Sequence, residues 1–334
     1  MQASDLRKLP RRDIRLSSMG LGCAQLGGLY QSISDAEAAA IVDAAWDLGI
    51  RYFDTAPYYG YTLSERRLGA ALRTRPRDSY VLSTKVGRLM RPDAGVQPGE
   101  SGWAAPLPFR PHYDYSYDGV MRSHEDSLQR LGTDRVDILY VHDIGRATHG
   151  ELHAHYWEQL THGGGLRALE QLRADGSVGA IGLGVNEWQA VAAAMDVCDL
   201  DCALLAGRYT LLEQEALEPL LARCVQRGVG IVIGGPFNSG ILAGTRKFNY
   251  EDAPAQIVAR VEALTAACAQ TGAPLPAAAL QFPMAHPAVV SCIPGAHSVA
   301  QLRQNAAWFA QPLPDALWQT LAQRGLIAPG VPTP

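Results

Sequence analysis

The chain has 334 residues, 47% of them hydrophobic and 19% charged, so a large core is available and disorder is not expected. Its 29 Lys and Arg against 33 Asp and Glu give a formal charge of −4, without the basic excess of a general nucleic-acid binder. No apolar run is long enough to cross a membrane, and residues 1–7 lack the apolar stretch of a signal peptide. The expectation is a cytoplasmic enzyme acting on a small molecule, with no nucleic-acid or membrane partner. The six cysteines, Cys23, Cys198, Cys202, Cys224, Cys268 and Cys292, are scattered without a Cys-x-x-Cys pair. They read as small buried hydrophobes rather than metal ligands.

Residues 6–17 are expected to form a small hairpin closing the bottom of the fold. Strand-like and helix-like segments then alternate. Residues 19–24 form a short strand, and Ser34-Asp35-Ala36-Glu37 is a capping-box pattern opening an Ala-rich helix that stops at Gly49. A strand at 50–53, a helix at 63–72 and a strand at 80–84 follow. A helix over 117–131 leads into the buried strand 136–141. Helices at 165–175, 187–198, 213–227 and 254–270 alternate with strands at 178–184, 202–205, 230–233 and 289–293. A helix at 300–308 follows the last strand, and the Pro-rich residues 327–334 are expected to fray.

Eight short, β-branched strands, each followed by a helix, point to an α/β fold, a (β/α)8 TIM barrel, as one domain over residues 1–334. A doubly wound sheet is the alternative. Its phosphate turn would need a third glycine, and Gly20-Leu21-Gly22-Cys23-Ala24-Gln25 lacks it. Long loops follow the third, fourth and seventh strands, at 86–115, 143–162 and 236–252. In a barrel these lie on the C-terminal face, where active sites sit.

The strand ends on that face carry Asp54, Lys85 and His142, and Tyr59 follows Asp54 by five residues. This set suits proton transfer to a carbonyl. A lysine cation near a tyrosine favours its phenolate, an aspartate would hold the lysine, and a neutral histidine could hydrogen-bond the substrate oxygen. A paired-carboxylate hydrolase stays open through Glu65 and Asp143.

The stretch Phe53-Asp54-Thr55-Ala56-Pro57-Tyr58-Tyr59-Gly60, then Ser64-Glu65-Arg66-Arg67-Leu68-Gly69, resembles the signature of the aldo-keto reductases. Ser83-Thr84-Lys85, Leu131-Gly132-Thr133-Asp134 and Val136-Asp137-Ile138-Leu139-Tyr140-Val141-His142 resemble further motifs of that family, in its order. The resemblance implies Tyr59 as general acid/base, tuned by Lys85 and Asp54, with His142 orienting the carbonyl. It also implies a nicotinamide cofactor across the barrel mouth and no metal. Asn186, in Gly182-Leu183-Gly184-Val185-Asn186, is the implied partner of the nicotinamide carboxamide. Gly234 stands where the family usually has a stacking aromatic, and Tyr209 is a candidate substitute. Gly235, Phe237 and Ser239 resemble the phosphate-cradling loop. Gly295, Gln301, Gln304 and Asn305 resemble the adenosine-binding segment. Gly295 and Gln301 stand where NADP-preferring members carry cations, so NAD is favoured, while Arg303 and His297 leave NADP open.

Three further stretches, 115–123, 204–214 and 234–241, are similar to a subgroup that includes D-threo-aldose 1-dehydrogenases and pyridoxal 4-dehydrogenases. That similarity implies oxidation of a cyclic hemiacetal to a lactone, with an L-fucose- or L-galactose-type aldose first and pyridoxal second. General carbonyl reduction with NADPH, and a regulatory barrel subunit with little turnover, are the other readings. Tyr58, Trp103 and Trp188 are candidates to line a substrate pocket. Arg88, Arg91 and Arg110 are candidates to recognise an anion, and Arg88, Asp143 and Asn238 to meet sugar hydroxyls, but the three arginines are expected to be solvated loop charges. His149, His153 and His155, near Glu151, are a conceivable metal site but are expected to be incidental histidines of a solvated loop.

Overall fold

The structure, a computed structural model, describes residues 1–334. Leu6–Lys8 and Arg15–Ser17 pair antiparallel as the expected hairpin. The barrel strands are β1 (Leu21–Gly22), β2 (Tyr52–Asp54), β3 (Val81–Val86), β4 (Ile138–His142), β5 (Ala180–Val185), β6 (Cys202–Ala206), β7 (Gly230–Gly234) and β8 (Val289–Ile293). They form one eight-stranded parallel sheet in chain order. A bridge between Met19 and Cys292 brings its two edges together, with Gly20 donating to the Cys292 carbonyl at 2.9 Å. This is the TIM-barrel architecture.

The main helices are α1 (Asp35–Asp47), α2 (Leu63–Leu72), α3 (Tyr117–Leu131), α4 (Gly165–Ala174), α5 (Trp188–Val197), α6 (Leu220–Arg227), α7 (Ala255–Gln270) and α8 (Val299–Ala310). The capping box at Ser34 and Glu37 is formed in both directions. Helix α6 is shorter than expected. Pro219 holds Glu218 in an extended conformation, so the segment splits into a 3-10 turn at Glu215–Leu217 and the helix proper.

Two cores result. Between the sheet and the helices lies a continuous layer of 77 buried residues. Inside the barrel, Tyr52, Ile138, Tyr140, Cys202, Val232 and Val290 pack with Leu9 and Leu16 of the hairpin, which plugs the N-terminal end. Several loop segments carry structure that periodicity did not reveal. Arg88–Pro92 and Phe109–Tyr113 pair as an antiparallel hairpin after β3. Short helices occupy Arg146–His149 and His153–Leu160 after β4, and Leu275–Gln281 and Asp315–Gln323 lie outside the barrel. The C-terminal segment is not frayed as expected. Ile327 is 4% exposed, and Ala328 N–H donates to Gln214 Oε1 at 2.6 Å. Apolar side chains in that Pro-rich stretch find a surface to bury against.

Candidate active site

Strand β2 ends at Asp54 and turns at once through Thr55-Ala56-Pro57. That turn is fixed by buried hydroxyls: Thr55 Oγ1 lies 2.9 Å from Ser64 Oγ, which donates to the Cys23 carbonyl at 2.7 Å. The following Tyr59-Gly60 backbone presses onto Gly27. A Cβ on Gly27 would sit 2.6 Å from the Tyr59 carbonyl carbon, and one on Gly60 would sit 2.3 Å from the Gly27 oxygen. Two glycines therefore permit the close approach that aims Tyr59 into the barrel mouth.

Strand β3 brings Lys85 beneath it. Lys85 Nζ donates to Asp54 Oδ2 at 2.7 Å and to the Thr55 carbonyl at 2.9 Å, and lies 4.8 Å from the Tyr59 ring centroid. Both side chains of this ion pair are almost fully buried. Ser83 Oγ donates to the other Asp54 oxygen at 2.7 Å and also meets Tyr52 OH at 3.1 Å, which in turn meets Tyr140 OH at 3.2 Å. The expected group of four is thus the upper end of a polar chain running down the barrel axis. His142, the last residue of β4, stands edge-on to Tyr59 with ring centroids 5.9 Å apart.

The electrostatics correct one expectation. Burial, then Asp54 and Asp143, push the Tyr59 phenol well above its ordinary value; Arg88 is the cation that opposes them. The charge of Lys85 is largely spent on Asp54, so the pair offers the phenol little net positive potential. Burial raises the Asp54 carboxyl, and Lys85 and Ser83 counter that. Burial, with Arg88 and Lys85 nearby, holds His142 well below the ordinary imidazole value, so it is neutral. Its Nδ1 is buried without a partner. A neutral phenol and a neutral imidazole side by side can hydrogen-bond one substrate oxygen and exchange one proton with it.

Around this group is a cleft of about 610 Å³. Its walls include Tyr58, Tyr59, Trp103 and Tyr113, with Tyr30 and Tyr250 from the rim and Gly184, Val185, Leu204 and Ala206 from strands β5 and β6. Tyr58 and Trp103 pack edge to face at 5.6 Å. Arg88 is not the solvated charge expected. It is 4% exposed, lies 4.1 Å over the Tyr58 ring and pairs with Asp143 at 2.6 Å. Nor is His149 in a solvated loop. It is buried, and its Nε2 meets Tyr115 OH at 2.9 Å, while that hydroxyl donates to the His142 carbonyl at 2.7 Å. Glu65 faces away from the cleft. It accepts from Thr84 Oγ1 at 2.7 Å and pairs with Arg130 between α2 and α3, so it is not opposite Asp143 as a paired-carboxylate site requires.

The expected cofactor residues divide into three groups. Asn186 lines the cleft, its Nδ2 donating to Asp143 Oδ1 at 3.1 Å. After β7, Gly235, Asn238, Ser239 and Gly240 all have positive φ, which curls the chain carrying Gly235, Phe237 and Ser239 into a tight concave turn. Asn238 braces that turn through Thr210, Gly207 and Glu213. After β8, Asn305 is buried and donates to the Gly295 carbonyl at 3.3 Å; Gln304 is exposed, and Gln301 Oε1 accepts from His297 N–H at 2.7 Å. These fit an extended dinucleotide: an amide beside the cleft, a curled backbone for phosphates, and a helix start beyond. Tyr209 does not reach the cleft. It is fully buried against Phe282 and His286. Trp188 starts α5 outside the cleft wall. Arg88, Asp143 and Tyr113 are the cleft residues that pattern reading undervalued; strong alternation is absent there, and only their position after β3 and β4 marked them.

The aldo/keto reductase family model matches residues 18–324. The chain is 51% identical to a pyridoxal 4-dehydrogenase of Microbacterium luteolum, over 98% of this chain and 99% of that one. It is 41% identical to a D-threo-aldose 1-dehydrogenase of Pseudomonas sp, over 96% of each. An aldo-keto reductase of Bacillus halodurans in its holo form superposes with a TM-score of 0.75 at 26% identity, covering 98% of both chains. With the barrel and the Asp54, Tyr59, Lys85 and His142 group in view, these likenesses agree: the chain belongs to the aldo/keto reductase family.

Proposed function

We propose that the chain is an NAD-dependent dehydrogenase that oxidises the cyclic hemiacetal of pyridoxal to its lactone. The observation that carries this reading is the aromatic-walled cleft beside Tyr59, in which Tyr58 and Tyr113 flank the buried cation of Arg88 and Trp103 packs on Tyr58. A flat, charged heteroaromatic ring suits those walls, through stacking and edge contacts. The greater identity to the pyridoxal relative, 51% against 41%, reverses the order of substrates drawn from sequence motifs. An L-fucose-type aldose is the second reading, since Asp143 and Asn186 offer polar partners to sugar hydroxyls.

A nicotinamide would supply the hydride acceptor when bound, and Asn186, Gly235, Phe237, Ser239, Gly295, Gln301, Gln304 and Asn305 are the residues that would hold the dinucleotide. Tyr59, as phenolate, takes the proton of the hemiacetal hydroxyl, and neutral His142 donates a hydrogen bond to the same oxygen. Lys85, anchored by Asp54, keeps its ammonium under the Tyr59 ring. Gly295 and Gln301 provide no cation for a 2′-phosphate, which supports NAD over NADP.

The test is an assay with pyridoxal, L-fucose, L-galactose and simple aldehydes against both nucleotides, with the product identified by NMR. Lactone from pyridoxal with NAD is the expected result. Lactone from aldoses alone establishes the second reading. Efficient aldehyde reduction with NADPH and no lactone would mean a general carbonyl reductase, and cofactor binding without turnover a regulatory barrel.

A further inference from the structure

A guanidinium has five N–H donors. That of Arg88 finds one acceptor in the protein, Asp143 Oδ2 at 2.6 Å, and its Nε is buried with no partner at all. The rest of its surroundings are aromatic: the Tyr58 ring at 4.1 Å and the Tyr113 ring at 5.4 Å. Arg77 and Arg260 also leave a buried Nε unpaired, but neither lines the cleft, whereas Arg67 donates to the Leu26 and Ile33 carbonyls. Arg88 instead lines the same cleft as Tyr59 and His142. Asp143, its counter-ion, is held in a left-handed conformation with φ of 44°. Its carboxylate also takes the Asn186 amide at 3.1 Å and lies 3.4 Å from His142 Nε2. Backbone strain in a non-glycine residue at this crossing is tolerated where geometry serves a site.

We propose that Arg88, braced by Asp143, is the specificity-determining residue of the cleft and binds the oxyanion carried on the ring beside the reacting carbon of a hydroxypyridine aldehyde. This rests on the pyridoxal reading. In pyridoxal the ring hydroxyl neighbours the carbon that bears the hemiacetal, and near neutral pH it is ionised. An aldose offers only a neutral hydroxyl next to its anomeric carbon. A guanidinium with spare donors in a poorly solvated aromatic pocket strongly favours the anion, because charge-assisted hydrogen bonds gain most where water is excluded. The pair with Asp143 keeps the empty pocket from holding an isolated cation, and its single shared oxygen leaves donors over for the ligand.

The experiment pairs a change in the ligand with a change in the protein. Pyridoxal is compared with 3-O-methylpyridoxal, which keeps the ring and the hemiacetal but loses the charge. On the native enzyme the methylated compound is expected to show a KM raised ~10–100-fold with a smaller change in kcat. In Arg88→Met the KM for pyridoxal rises by a similar factor and the discrimination between the two compounds falls to near one; Arg88→Lys recovers part of it. Because Arg88→Met leaves Asp143 buried and unpaired, the double variant Arg88→Met with Asp143→Asn is assayed beside it, and tryptophan quenching by NAD checks that each variant is folded. Equal KM values for the two compounds on the native enzyme, or discrimination that survives in both variants, would overturn the role of Arg88 alone. A native enzyme that makes no lactone from pyridoxal would overturn the substrate reading, and this proposal with it.

Discussion

In the proposed reaction, Tyr59 is the residue on which the chemistry converges. Replacing it by Phe keeps the ring that packs on Trp103 and His142 but removes the oxygen that exchanges the proton. Turnover should fall by ~10²–10⁴ while the dissociation constant for NAD changes little, as single-turnover rates and fluorescence titration would show. Its pH dependence has a defined sign. Burial with Asp54 and Asp143 raises the phenol, so near neutrality it is protonated, and oxidation, which needs the phenolate, accelerates as pH rises towards that value. Two neighbours should move the profile in opposite directions. Lys85→Met removes a cation and leaves Asp54 uncompensated beneath the ring, raising the phenol further, so the oxidation profile moves to higher pH. Asp54→Asn removes an anion and frees the ammonium, so the profile moves to lower pH. Parallel pH–rate profiles of the two variants check this; shifts of the same sign would mean that another group sets the phenol.

The elements were legible where local chemistry and tertiary context agree. Helices α2 and α3 occupy the residues expected for them, because each has an apolar stripe, and Gly132 ends α3 in a left-handed cap. The convergence of Asp54, Lys85 and His142 was legible because barrel topology maps strand ends onto one mouth, while the placing of Tyr59 with them rested on the motif resemblance. The excursions were not. Tyr156, on the short helix His153–Leu160, packs on His149 and on Tyr113 and Tyr115 from the loop after β3, tertiary partners that no period reveals. Arg88 looked like a solvated charge because nothing local announces that Asp143, 55 residues on, will neutralise it in an aromatic pocket. The start of α8 carries a prediction at this scale. Ser298 caps the helix by accepting from Gln301 N–H at 3.1 Å, and the Gln301 side chain caps His297 N–H in turn. Gln301→Arg gives up one exposed hydrogen bond and places a guanidinium where a 2′-phosphate would lie. NADP affinity should improve about tenfold, with NAD affinity nearly unchanged, in paired titrations. Native binding of NADP tighter than of NAD would mean that Arg303 or another cation already serves the phosphate.

Across the whole molecule, the two ends of the barrel do different work. The C-terminal mouth holds polar groups that are short of partners: His142 Nδ1, Arg88 Nε and Trp103 Nε1 are all buried and unpaired. The opposite end is anchored by a carboxylate with three donors. There Asp201, completely buried, accepts from Arg12, from Arg173 at 2.9 Å and from the Ile181 N–H at 3.0 Å, tying the hairpin to strand β5 and helix α4. Leu9 and Leu16 then close the interior, and a Cβ on Gly230 would lie 2.7 Å from the Leu9 side chain, so the plug sits hard against the start of β7. Leu9→Ala should therefore open a cavity that the closed strand ring cannot collapse to fill, destabilising the fold by ~2–5 kcal/mol. The group of Asp54, Tyr59, Lys85 and His142 lies at the far end of the strands, separated from Leu9 by the Tyr52 and Tyr140 layer, with Asp54 held by its own hydrogen bonds. The expected signature is a lowered midpoint of denaturant unfolding with kcat within about twofold of native. A large loss of kcat at temperatures where the variant remains folded would show that the mouth depends on packing at the base, and that the polar chain from Tyr140 through Ser83 to Asp54 transmits it.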